Sequence, residues 1–307
     1  METTEQFFCA QAADDREDPL AGTAPRGAYW VLIEYRGGWP VNGFDGLDLD
    51  PQVHAAVFAA AQARRARIVL IRRHGRRRRE GPGRWAVLHH AGQGSARQRW
   101  GTWREERDLL DIVRVLNEPA ELTADPSHGP VVLVCAHGLH DVCCAVRGRP
   151  VAEALSARWP ELVWECTHIG GDRFAANILV VPDGVYYGRL DAASAVEVID
   201  GHLADRIDVR HLRGYTDLAP VEQVAVAAVL EARGAGGRHD HSILAASRSE
   251  DRWTVRVAVR GAEEKSFEVD IDVAMSPPRQ LTCRGPAQAS ALVHTVVGVR
   301  PVPREGH

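Results

Sequence analysis

The chain lacks any apolar run approaching the roughly 20 residues that a membrane-spanning helix requires. Its opening stretch, METTEQFFCAQAADDRED, is acidic where a secretory leader would be basic and then apolar. Both absences lead to the expectation of a cytoplasmic protein with no membrane partner. It also lacks an excess of positive charge: 37 basic against 41 acidic residues leave a formal charge of −4, which argues against general nucleic-acid binding. No G-x-G-x-x-G follows a strand into a helix, so no nicotinamide or flavin fingerprint is present. No pair of carboxylates has a spacing that would support a glycosidase, and no C-x-x-C suggests a zinc ribbon or a dithiol oxidoreductase. What remains is ordinary globular composition, 45% hydrophobic and 25% charged over 307 residues, enough for one large domain or two small ones.

One local run departs from the mild acidity. RRHGRRRRE, residues 72–80, sits between the strand-like runs ARIVLI and WAVLHH. It reads as a solvated, self-repelling loop or, functionally, as a docking patch for an acidic redox partner. It carries no interleaved aromatics, so nucleic acid fits it poorly.

Periodicity predicts a mixed α/β chain built on one pattern used twice. AYWVLIEY reads as a buried strand. DPQVHAAVFAAAQARRA reads as a helix with Asp50 as N-cap, Pro51 at the first helical position and Val53, Val57, Phe58 and Ala61 at helical spacing. RIVLI and RWAVLHH follow as strands, giving β-α-β-β. GPVVLVCA, then CAVRGRPVAEALSARW, then ELVWEC, NILVVP and VYYGRL repeat it, with Val146, Val151, Leu155 and Trp159 on one helix face and Pro150 marking where the regular helix starts. Asp183-Gly184 reads as a tight hairpin. Two further helices, AASAVEVIDGHLA and PVEQVAVAAVLEARG, precede a Gly-rich breaker, and RWTVRVAV and SFEVDIDV alternate with period two as a hairpin. The expected divisions are an N-terminal α/β region at 1–125, a thioredoxin-like domain at 126–235 and a C-terminal β-hairpin extension at 236–307.

Four of the six cysteines and three of the fourteen histidines fall in VCAHGLHDVCC and ECTHIGGDRF, each run following a strand. In a reducing cytoplasm clustered thiols read first as metal ligands or redox groups. Cys135 and Cys144 are separated by a strand end, a glycine-bearing loop and a helix start, a gap that can place two thiolates around one metal centre. His168 and Asp172 flank Gly170-Gly171, which lets the backbone curl so that the two side chains converge. In a β-α-β unit both loops lie at one sheet edge, so the four can meet.

The pattern C-x-H-G-x-x-D-x-x-C, here Cys135, His137, Gly138, Asp141 and Cys144, followed by THIGGDRFAANILVVPDGVYYGRL, resembles the sucrase/ferredoxin-like family of thioredoxin-like [2Fe-2S] proteins. CAQAADDREDPLAGTAPRGAYWVLIEYRGGW is similar to that family's N-terminal region, so the resemblance covers most of residues 9–235. It implies a [2Fe-2S] cluster held by two cysteines and two histidines, the latter from H-x-G-G-H. Carried onto this chain, the ligands are Cys135, Cys144 and His168, with Asp172 standing where the family has its second histidine. His140 occupies a position that commonly bears arginine.

The resemblance implies an electron carrier or redox sensor that works with a separate redox partner protein rather than a stand-alone enzyme. The alternatives are a cluster-free thiol-redox protein using Cys143 and Cys144 near a helix start, and a structural zinc site built from the same ligands. Cys143 and Cys166 are the substitute ligands nearest to hand. His137, Asp141 and Arg173 read either as local turn, cap and exposed residues or as groups that tune a cluster. Cys9 and Cys283 read as plain core thiols.

Overall fold

The computed structural model describes residues 6–76, 81–90, 96–123, 129–234, 236–260 and 265–302. After a short helix α1 (Cys9–Asp15), the apolar run becomes strand β1 (Tyr29–Glu34), buried along nearly its whole length. Helix α2 (Pro51–Ala63) starts as its sequence dictates: the Asp50 carboxylate accepts the backbone N–H groups of Gln52 and Val53, two of the donors a helix start leaves free. Strand β2 (Arg67–Arg72) returns parallel to β1; β3 (Gly83–His90) pairs antiparallel on the other side of β1, and β4 (Ala96–Trp103) pairs with β3. Helix α3 (Leu110–Asn117), a short segment that the periodicity did not single out, packs with α2 over this half through Ile112, Val115 and Leu116.

The second half repeats the plan with β5 (Val131–Cys135), α4 (Val142–Arg158), β6 (Val163–Cys166), β7 (Ile178–Val181) and β8 (Val185–Tyr187). β6 is parallel to β5, β7 antiparallel on its other side, and β8 antiparallel to β7. The orders β2-β1-β3-β4 and β6-β5-β7-β8 therefore match, and the halves join edge to edge where Ile71 meets Cys166 and Arg72 meets Glu165. With β9 (Leu212–Tyr215) this makes one nine-stranded sheet, ordered β4-β3-β1-β2-β6-β5-β7-β8-β9.

Helices α5 (Ala192–Leu203) and α6 (Pro220–Arg233) follow their predicted spans. The expected hairpin is β11 (Arg252–Val259) with β12 (Lys265–Met275), its polar turn lying outside the described residues. It is widened by β10 (His241–Ser249) and β13 (Leu292–Val302) into a four-stranded antiparallel sheet. Val255, Val257, Val269 and Ile271 share one face of that sheet and bury against α6, while Arg256, Glu268 and Arg300 form ion pairs on its wet face. Among the described residues no helix is long and apolar enough to cross a membrane.

Helix α4 differs from its reading. It begins at Val142 and runs through Pro150, because Asp141 caps it and because Val146, whose carbonyl Pro150 leaves without a helical partner, lies on the wet face at 57% exposure. Val146 thus leaves the expected apolar face and Trp159 is only half-buried; Val151 and Leu155 carry the packing.

Candidate metal centre

Cys135 ends β5 and pairs in the parallel ladder with Cys166, which ends β6, so the loops that follow both strands leave the same sheet edge. Cys144, in the first turn of α4, turns back toward Cys135 and both thiols are fully buried. A hydrogen bond from Cys144 holds the Cys135 thiol below its ordinary range against the effect of burial, with the His137 backbone N–H assisting. The same bond, together with burial, pushes Cys144 well up.

Cys144 Sγ lies 3.2 Å from Asp172 Oδ1, and that oxygen lies 2.8 Å from His168 Nδ1. The imidazole nitrogen is close but poorly aligned, and it remains a buried polar atom without a hydrogen bond. Burial alone would raise the Asp172 carboxyl; the His168 ring outweighs it, aided by Cys144 and His140, and the carboxylate form is favoured. The four residues singled out from the sequence thus stand in one line of contacts.

His140 joins them, which sequence reasoning noted only as a departure from the family pattern. Its ring stacks on His168 with centroids 3.8 Å apart, and its Nε2 is 3.7 Å from Asp172 Oδ2. The donor atoms of His140, His168 and Asp172 all lie within 4.8 Å of one another. Burial and the His168 ring disfavour charge on His140. The donors therefore divide into a buried thiol pair and an imidazole–carboxylate group.

The loop that carries His168 and Asp172 is pinned from β9. Gly170 and Gly171 have φ of +96° and +82°, a region that favours glycine, and a Cβ on Gly171 would fall 2.3 Å from Arg213 Nη2. Arg213, fully buried, donates to the carbonyls of Gly170 at 2.8 Å and Thr23 at 2.6 Å and to Asn177 Oδ1 at 2.8 Å; Asn177 Nδ2 donates to the Gly171 carbonyl at 2.8 Å. Burial lowers the Arg213 pKa to about 10, so it stays charged. His137 braces the other side: its Nε2 donates to the Pro40 carbonyl at 2.8 Å while Nδ1 accepts the His168 backbone N–H at 3.4 Å. Burial lowers its pKa to about 4, which keeps the ring neutral, and the Pro40 carbonyl and the His168 N–H together select this tautomer.

Other expectations move. Cys143 and Cys144 are adjacent on a helix, about 100° apart around its axis, and belong to separate buried clusters, so the pair does not converge on one point. Cys143 instead meets Cys9 and Cys283, which are not isolated core thiols. Burial and the nearby Cys135 raise the Cys166 thiol. Arg173 faces Asp18 at 3.8 Å rather than the site. Arg72 is buried in an ion pair with Glu165 at 2.8 Å and stacks on Trp39, and Arg73 stacks on Trp164, so neither is part of a free docking patch. Residues 77–80 of that run lie outside the described residues.

The thiol pair is sealed, whereas the histidines open into a cleft of about 390 Å³ lined by Val41, Phe44 and Phe58 from one half and His137, His140 and His168 from the other. No spacing rule links these segments; only the edge-to-edge join of β2 and β6 brings them together.

A family model described as "Sucrase/ferredoxin-like" matches residues 20–214, well over half of the chain and every residue of this centre. Among curated proteins, the chain is similar to Altered inheritance of mitochondria protein 32 of Meyerozyma guilliermondii, 24% identical over 123 residues, which is 36% of this chain and 44% of that protein. The chain thus spans less than half the length of that relative. No solved structure matches it.

Proposed function

The chain belongs to the sucrase/ferredoxin-like family, and on that premise we propose that it is an iron–sulfur protein. In this reading residues 126–235 form a thioredoxin-like unit that holds one [2Fe-2S] cluster for single-electron transfer or redox sensing. The observation that carries the reading is the division of donors. Two buried thiols meet at one point, and an imidazole and a carboxylate meet beside them, joined through the 3.2 Å contact of Cys144 with Asp172. A [2Fe-2S] centre of mixed ligation needs that split, soft thiolates on one iron and harder donors on the other. The buried His168 Nδ1 has only the poorly aligned Asp172 carboxylate beside it, at 2.8 Å, and a metal would satisfy both atoms. When bound, the cluster would supply one-electron chemistry.

The chain's own residues do the rest. Cys135 and Cys144 hold one side, His168 and Asp172 the other. The His137 backbone N–H, directed at Cys135, stabilises negative charge there. Arg213 and Asn177 fix the loop, and the sealed thiol side excludes water while the cleft leaves the histidine side open for electron exchange. A separate redox partner protein supplies or accepts the electron. All six cysteines are free, which suits a reducing cytoplasm.

The test is colour and iron. Purified protein should be red-brown with visible charge-transfer bands, and Cys135→Ser and Cys144→Ser should each remove most of the iron. Iron-free, colourless protein after reconstitution with iron and sulfide, or iron that survives both substitutions, would overturn the reading. Strong loss on Cys166→Ser would make that thiol a ligand in place of Asp172.

A further inference from the structure

A second group of thiols lies on the far side of the α4 start. Cys9 opens α1, Cys143 is the second residue of α4, and Cys283 sits in the long connection between β12 and β13. With Asp141 they place four donor atoms within 4.8 Å of one another. Cys143 Sγ and Cys283 Sγ are 3.5 Å apart, and Cys9 Sγ is 3.6 Å from both Asp141 oxygens. Donors about 2.3 Å from a zinc ion stand about 3.7 Å apart at a tetrahedral angle, so the edges already seen are those of a four-coordinate site. They are far from the roughly 2.05 Å of a disulfide.

We propose that Cys9, Cys143, Cys283 and Asp141 bind a structural Zn²⁺ ion, separate from the centre built on Cys135 and Cys144. Three thiolates with one carboxylate are a soft-to-borderline set that suits zinc, and a closed set of four protein ligands is structural rather than catalytic. Backbone amides already orient the donors. Cys9 N–H points at Cys283 Sγ at 3.4 Å and Ala10 N–H at Cys143 Sγ at 3.5 Å, while Asp141 accepts from Cys143 N–H and Cys283 N–H at 2.9 Å each. The Cys9 thiol proton now lies between sulfur and the Asp141 carboxylate, and the metal takes that proton's place. Binding releases the three thiol protons, and a divalent ion with three thiolates and one carboxylate leaves the site at −2. The amides and the N-terminus of α4 offset that charge. The ion would tie together segments from both ends of the chain: the N-terminal helix, the motif helix and the C-terminal sheet.

Metal content of the full chain tests this apart from the cluster. The purified protein should contain one zinc per chain, retained in Cys135→Ser and lost in Cys9→Ser and Cys143→Ser. Cys283→Ser is the gentlest variant, since its site is a half-exposed loop; it should keep wild-type far-UV circular dichroism yet lose the zinc. Added Co²⁺ should give thiolate charge-transfer bands and the intense d–d bands of tetrahedral cobalt in wild type and Cys135→Ser but not in Cys283→Ser. Three results would overturn the proposal: zinc or cobalt uptake unchanged by Cys283→Ser, iron rather than zinc following these three thiols, or metal-free protein lighter by two hydrogens from a Cys143–Cys283 disulfide.

Discussion

Gly148 decides how closely α4 can approach β5, and replacing it with alanine is a direct probe of the thiol pair. A Cβ built there would lie 2.0 Å from the Cys135 carbonyl oxygen and 3.1 Å from its carbon, where contacts under 3.0 Å essentially never occur. The obstacle is backbone, so relief requires lifting α4 off β5 by about 1 Å, the difference between 3.0 and 2.0 Å. Cys144 rides on the helix and Cys135 stays with the strand, so the lift opens the pair. Overpacking of this kind costs about 1–3 kcal/mol, and glycine to alanine within a helix returns about 1 kcal/mol, leaving a net loss of up to about 2 kcal/mol. Gly201 in α5 is the control. Its Cβ would meet the Arg206 carbonyl at 3.4 Å and the flexible end of the Arg206 side chain at 3.5 Å, which is ordinary contact. Gly201→Ala should therefore be neutral or stabilising by up to about 1 kcal/mol. Urea midpoints suit the comparison, because a chain of this size need not unfold in one step, and iron per chain reports the thiol geometry. Gly148→Ala should lower both readings and Gly201→Ala neither. Equal or improved stability with full iron content in Gly148→Ala would show that the Cys135–Gly148 approach does not hold the site.

Asp172 separates this centre from two-histidine relatives. An oxidised core of +2 with two thiolates, one carboxylate and one neutral imidazole totals −1, so the potential is expected above the about −400 mV of plant-type ferredoxins and below that of two-histidine centres. Asp172→His should raise it and steepen its pH dependence by adding a second ligand imidazole; an unchanged titration would remove Asp172 from the ligand set. Asp172→Ala should retain a weakened cluster through the adjacent His140, and Asp172→Ala with His140→Ala should lose it; identical iron content in the single and double variants would refute that role for His140. Far from the site, both nitrogens of the His90 ring face oxygens, Pro182 O at 2.9 Å and Asp217 Oδ2 at 3.3 Å. Burial opposes charge on this ring, but the Asp217 carboxylate and the Pro182 carbonyl outweigh it and raise the pKa, while Asp217 is lowered. The raised histidine stabilises fully below its unfolded value of about 6.5, and that stability is lost as pH rises through the folded value. The lowered aspartate stabilises above about 3.9 and is lost as pH falls through its folded value. The pair thus contributes most between about pH 4 and 6.5, and His90→Gln should flatten the alkaline decline of Tm; an unaltered slope would exclude it.

The parts legible in the sequence are those whose causes are local. Asp50-Pro51 announces α2, the apolar runs announce β1, β5 and β7, and the spacing of Cys135, Cys144, His168 and Asp172 around a β-α-β unit puts them at one sheet edge, where Cys144 touches Asp172. The parts that were not legible depend on distant partners. Arg213 would be an unwelcome charge in a strand until residues 23, 170 and 177 supply its acceptors. Cys9, Cys143 and Cys283 share no motif and meet only through tertiary structure, Cys9 standing 274 residues from Cys283 in the chain and Cys143 standing 140 from it. Pro150 misled for the opposite reason: the local rule against proline in a helix is relaxed where the carbonyl it strands is wet.

The join between β2 and β6 has a bearing on how the chain can be divided. Each strand covers the open edge of the other, and Thr167 reinforces the seam by accepting the Leu70 N–H at 3.0 Å while its own N–H binds the Leu70 carbonyl at 2.9 Å. Either half expressed alone would expose a row of unpaired amides and carbonyls on an apolar strand, a template for another chain. Because the halves share one topology, the substitute nearest to hand is a second copy of the same half, docked antiparallel at the vacated edge. Such a fragment is expected to be recovered as a dimer or an aggregate. The second half alone would also keep the histidines while losing the wall of Val41, Phe44 and Phe58 that turns them into a cleft.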